Sequence, residues 1–90
     1  MTKIKLKIRK VVSVKANDDF TLECEMEDGE IYQYDMSYLH ESTSEMEKPL
    51  KDLRFFKKLW IELGCITWAN DYCVDGTNIA LNGKLIKKTA

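Results

Sequence analysis

The chain has 90 residues, 44% of them hydrophobic and 32% charged, with a formal net charge of −1. That length suits one domain with one modest core, and the composition is that of a globular chain, not a disordered one. No run of about 18 apolar residues is present, which excludes a transmembrane helix.

Met1 to Lys10 interleaves Lys with Ile and Leu and lacks the apolar core of a secretory signal, so the expected compartment is the cytoplasm. From Lys3 to Ala16 the pattern has period two, as in a strand with one wet face, and a change of register is expected near Lys10-Val11. Asn17-Asp18-Asp19 is turn chemistry, because short polar side chains bond the nearby backbone. The second strand is the clearest: Phe20, Leu22, Cys24 and Met26 face one way, and Thr21, Glu23 and Glu25 the other. Asp28-Gly29 reads as a two-residue hairpin turn into a third strand, Ile31 to Met36. Tyr32 and Tyr34 suit either face of that strand.

Asp35 or Ser37 is placed to cap a short helical turn, and residues 40–48 form a polar loop. Pro49 opens a helix of two to three turns, with Leu50, Leu53, Phe56 and Leu59 inward. Trp60 to Leu63 and Cys65 to Trp68 read as a fourth and a fifth strand around Gly64. Asp75 or Thr77 caps one turn containing Ile79, Ala80 and Leu81, which Asn82-Gly83 ends; Leu85 and Ile86 suit a last short pairing, and 87–90 a frayed end. The expected fold is therefore a single α+β domain over 1–90. It has a small antiparallel sheet of about five strands, one short helix between strands 3 and 4, and a short C-terminal helical turn.

In this order, residues 9–82 resemble the domain of unknown function 2442, a family of small bacterial and phage-associated proteins. The features that carry the resemblance are Val11 to Val14, Leu22 to Met26, Asp28-Gly29, Tyr34-Asp35, Pro49-Leu50 with Asp52 and Phe55 or Phe56, and Thr67-Trp68-Ala69-Asn70-Asp71-Tyr72. The last resembles the family's Trp-Pro-Asn-Gly-x-Asp. Ala69 stands for the usual Pro, Asp71 for the usual Gly and Cys73 for the common Asp, so the corner after Trp68 need not keep the family's conformation. The resemblance implies an α+β fold and a partnership, because some members are fused to helix-turn-helix domains or encoded beside another small protein in toxin–antitoxin-like pairs. It implies no reaction.

The charges are segregated along the chain. Residues 1–15 hold six basic groups and no acid, residues 16–47 eleven acids and no Lys or Arg, and residues 48–58 five basic groups against Asp52. Cross-strand pairing explains such a pattern, and so does a binding surface for a charged partner. Cys24, Cys65 and Cys73 are an odd set without C-x-x-C spacing, so neither a disulfide framework nor a zinc site is expected. No cofactor or metal site is read from the sequence, since the clustered carboxylates lack the Asp-x-Asp-Gly loop of a hard-ion site. His40 has no nucleophile beside it in sequence, and no catalytic motif is present.

The first expectation is a non-catalytic protein-interaction module, antitoxin-like or regulatory, that binds a protein partner. Its surface would be the acidic face (Glu23, Glu25, Glu27, Glu30) and the corner at Trp68, Asn70 and Asp71. Exposed strand edges such as Lys3 to Ile8 also offer self-association into a homo-oligomer. The alternative is a nucleic-acid-linked regulator using the basic N-terminal strand and Lys51, Arg54, Lys57 and Lys58. Direct nucleic-acid binding is disfavoured by the net charge. A third reading is a small enzyme built around Cys73 or His40.

Overall fold

The computed structural model describes residues 9–87, so the expected strand segment Lys3 to Ile8 and residues 88–90 lie outside the described residues. Strands β1 (Val11–Ala16), β2 (Thr21–Met26), β3 (Ile31–Asp35) and β7 (Lys84–Lys87) form one antiparallel sheet in that order. Strands β4 (Trp60–Glu62), β5 (Cys65–Thr67) and β6 (Cys73–Asp75) form a second antiparallel sheet. The expected single sheet of five strands is thus two sheets. The chain is α+β as expected, but β4, β5 and β6 pair only with one another, while β7 returns to the edge of the large sheet beside β3.

The physical reason lies where β1 begins. The Val11 amide donates to the Gly64 carbonyl oxygen at 3.0 Å, and the Arg9 amide donates to Thr77 Oγ1 at 3.1 Å. Residues 9–11 therefore cross the end of the small sheet instead of extending it. The buried faces of the two sheets then close on one core of Leu22, Cys24, Met26, Phe56, Ile66, Trp68, Val74 and Ile79. Gly76 makes the crossing possible, since a Cβ there would lie 2.3 Å from the Arg9 carbonyl oxygen.

From Leu22 on, the alternation in β2 is as expected, with Leu22, Cys24 and Met26 buried and Glu23 and Glu25 exposed, whereas Thr21, expected outward, is buried. Tyr32 and Tyr34 of β3 join the buried side. The register of β1 shifts between Val11 and Ser13, close to the expected place. The Asp28-Gly29 hairpin has a three-residue loop, 27–29, and not two. The Met26 amide donates to Glu30 O, the Gly29 amide donates to Met26 O, and only Gly29 has positive φ, at 93°. That is a type I turn closed by a left-handed residue. The same form recurs twice. Asn17 to Thr21 is closed by Phe20 at φ 65°, and Trp68 to Tyr72 by Asp71 at φ 70°.

Two short 3-10 segments, Ser37–Glu41 and Lys48–Lys51, precede the single-turn helix α1 (Leu53–Phe56). The expected two- to three-turn helix from Pro49 is interrupted at Asp52, which is extended at φ −81° and ψ 118° and accepts the Arg54 amide at 2.9 Å. A short carboxylate that caps a new turn competes with continuing the old one. The 40–48 segment, expected to be a loop, holds the end of the first 3-10 segment and a turn in which the Lys48 amide donates to Ser44 O. Helix α2 (Gly76–Asn82) starts at Asp75, whose Oδ1 accepts the Asn78 amide at 2.7 Å, and ends at Gly83, as expected. Among the described residues no helix is long and apolar enough to cross a membrane.

Candidate functional site

Outward-facing positions of the small sheet follow from its register. Ile61, Ile66 and Val74 oppose one another and point inward. The other side therefore carries two cross-strand rows, Trp60–Thr67–Cys73 and Glu62–Cys65–Asp75. Trp60 is 45% exposed, and its Nε1 donates to Glu62 Oε1 at 3.1 Å, which holds the indole on this face.

Leu63 and Gly64 form the two-residue loop between β4 and β5, with φ 52° and 80°. Two positive φ angles make this a type I′ arrangement, in which Asn, Asp or Gly normally precedes Gly because a branched chain is strained there. Leu63 is 91% exposed. It contributes nothing to the core in return for its backbone conformation. A depression of about 260 Å³ beside it is lined by Glu62, Leu63, Cys65, Thr67, Asp71 and Cys73.

Cys65 and Cys73 are free thiols, the first half-buried and the second exposed. Burial, then Asp75, then Cys73 push the Cys65 thiol above its ordinary value. Cys24 is inside the core, where burial raises its thiol to about 12 and makes it inert near neutral pH.

The residues singled out from sequence are distributed differently. Glu23 and Glu25 are exposed on the outward side of the large sheet, opposite Lys15 and Ser13 of β1. Glu27 is exposed in the hairpin loop, whereas Glu30 accepts Arg9 Nη2 at 2.7 Å and the Tyr32 hydroxyl at 3.2 Å. Arg9 in turn lies 5.5 Å from the Tyr32 ring centre. Trp68 is fully buried and has no surface to offer a partner. Asn70 is occupied within the fold, donating from Nδ2 to Met46 O at 2.8 Å. Asp71 is exposed and alone among these residues lines the depression beside Leu63. No hydrogen bond or ion pair among the described residues joins the acidic hairpin to the Trp68 corner.

Lys51, Arg54, Lys57 and Lys58 are all exposed, and Lys57 is paired with Asp18. His40 rests edge-on against Phe20, with ring centres 4.7 Å apart. Among the described residues no three His, Cys, Asp or Glu side chains converge as a metal-ligand set.

A hydroxyl cluster that the sequence did not announce ties the segment around Ser42 to the rest. Ser42 Oγ and the Tyr72 hydroxyl both donate to the Glu47 carboxylate, the latter at 2.6 Å. These bonds, Ser42 first, hold the Glu47 carboxyl below its ordinary value. Burial and then Glu47 push the Tyr72 phenol up to about 12. Burial and the neighbouring Tyr34 and Tyr72 hydroxyls raise Tyr38 further, and the Tyr34 hydroxyl accepts Asn78 Nδ2 at 3.0 Å. Tyrosines spaced across a strand, a 3-10 segment and a hairpin carry no shared period, so only the fold brings them together.

Neither the curated proteins nor the solved structures contain a match to this chain. Residues 11–76 match the family described as protein of unknown function (DUF2442). These residues run from the first residue of β1 to the start of α2 and include both hairpins of the small sheet, and the chain belongs to that family.

Proposed function

We propose that this chain is a non-catalytic protein-binding module whose partner docks on the outward face of the small sheet around Trp60 and Leu63. The observation that carries this reading is Leu63, a large apolar side chain 91% exposed at φ 52°. Local rules broken without a gain inside the fold are characteristic of functional positions. A half-exposed Trp three residues earlier, on the outward face of the same sheet, supplies the aromatic anchor typical of interface centres. Glu62 and Asp71 border the depression beside Leu63 and Asp75 stands in the same outward row as Glu62, which favours a basic partner and steers its approach. An antitoxin-like or regulatory role within a protein pair is the form of this reading that the family resemblance suggests.

The acidic side of the large sheet at Glu23 and Glu25 adds to the same charge complementarity. The nucleic-acid alternative has less behind it. Lys57 is already paired with Asp18, and the other exposed cations of that segment sit in a chain of net charge −1.

The test is a parallel capture from host lysate with the natural chain, Leu63→Asn and Trp60→Ser, each checked for folding by circular dichroism. A stoichiometric protein retained by the natural chain and lost by both variants is the expected result. Equal retention by all three would remove this face from consideration.

A further inference from the structure

The depression beside Leu63 has a chemical character separate from the apolar face. Cys65 opposes Asp75, and Thr67 opposes Cys73, so the two thiols occupy diagonal places on the outward side of neighbouring strands. The hairpin is closed by the Trp68 amide donating to Tyr72 O. Hydrogen-bonded and open pairs alternate from there, which makes Thr67–Cys73 and Cys65–Asp75 open pairs, the kind whose side chains approach most closely.

Diagonal neighbours lie about 7–8 Å apart, somewhat less between side chains. A disulfide needs Cα atoms within roughly 4.4–6.8 Å, so this placement does not suit a direct S–S bond. Two metal–thiolate bonds of about 2.3 Å each span up to roughly 4.6 Å between sulfurs, which fits a diagonal pair. Glu62 and Asp71 border the depression and Asp75 opposes Cys65, and among the described residues no Lys or Arg lines it, so a cation is favoured over an anion. Zinc sites take four ligands, and among the described residues no third His, Cys, Asp or Glu side chain converges with the two thiols. Soft monovalent copper accepts thiolates alone.

We propose that Cys65 and Cys73 together form a two-thiolate site for a soft monovalent metal ion of the Cu(I) class. Binding replaces two S–H bonds with two metal–sulfur bonds and releases two protons to solvent, with no electron transfer. Affinity consequently rises with pH.

The full-length chain, reduced and handled without oxygen, is titrated with Cu(I) against a chromophoric Cu(I) chelator, with the stoichiometry read by native mass spectrometry. One Cu(I) per chain is expected. Cys65→Ser and Cys73→Ser should each lose about 100-fold or more in affinity, above the 10–100-fold typical of a supporting group beyond the ligands. Cys24→Ala, checked for folding, should bind as the natural chain does. One equivalent of Cu(I) should also shield both Cys65 and Cys73 from alkylation, as mapped on peptides. The proposal is overturned if the chelator keeps the copper, if either single serine variant retains full affinity, or if Zn(II) binds the pair equally well. None of these readouts depends on the partner surface, so this site and the Trp60–Leu63 reading stand or fall separately.

Discussion

Trp68 donates its indole N–H to the Phe56 carbonyl oxygen at 2.8 Å and stacks on the ring of that same residue, with centres 6.0 Å apart. One side chain thus satisfies a carbonyl at the end of a helix, where intrahelical donors run out, and fills the space beneath it. Trp68→Phe keeps an aromatic ring but leaves that buried carbonyl without its donor. We expect a loss of roughly 2–4 kcal/mol, read from urea denaturation with an unchanged m-value.

Leu63→Asn should have the opposite sign. Asn tolerates the left-handed region that Leu63 occupies at φ 52°, and almost none of the Leu side chain is buried. The variant should gain about 0.5–1 kcal/mol and a correspondingly higher Tm. A destabilised variant would mean that Leu63 packs on something within the chain.

Gly76→Ala places a methyl group against the Arg9 carbonyl, at a separation of 2.3 Å before relaxation. Backbone cannot swing aside as a side chain can, so the crossing of residues 9–11 over the small sheet should open. A cost of about 1–3 kcal/mol is expected, together with faster amide exchange at Arg9 and Val11. Unchanged exchange at those two amides would refute the crossing as a structural constraint.

Glu47 makes the segment around Ser42 acid-sensitive. Its folded-state pKa is depressed below the ordinary 4.5, chiefly by Ser42 and then by Tyr72. The stabilisation is therefore complete above about pH 4.5 and is lost as pH falls through the lower folded value. Limited proteolysis at residues 42–47 should accelerate in that acid window in the natural chain. Glu47→Gln should be cleaved faster at neutral pH and show a flatter acid response.

The first three strands are legible in the sequence because each buries one side. Leu22, Cys24 and Met26 in alternation with Glu23 and Glu25 leave a single register that hides the apolar set. Asp75 as a cap and Gly83 as a stop are legible for the same local reason. What the sequence hides is non-local. Strands of three residues, such as Cys65–Thr67, carry too few positions to say which sheet they join. The separation into two sheets depends on Val11 meeting Gly64, 53 positions away in sequence, as 64 − 11 shows. The candidate site is hidden for a related reason. Leu63 reads as the last residue of a strand, and only the register Glu62–Cys65 shows it to be a turn residue with nowhere to bury. Trp68 invites the reverse error, since its burial comes from a carbonyl twelve residues earlier.

The three hairpin loops closed by Phe20, Gly29 and Asp71 share one backbone form while their left-handed places hold an aromatic, a glycine and a carboxylate. Phe20 meets Phe56 at 4.8 Å between ring centres, and Asp71 borders the outer depression. Each loop tolerates a different chemistry at that place. None would tolerate a change of length by one residue, because that would slide the returning strand by one position and turn its buried side outward. For relatives of this chain, the spacing between paired strands is then the trait to expect unchanged, and the left-handed residue is the one free to be exchanged.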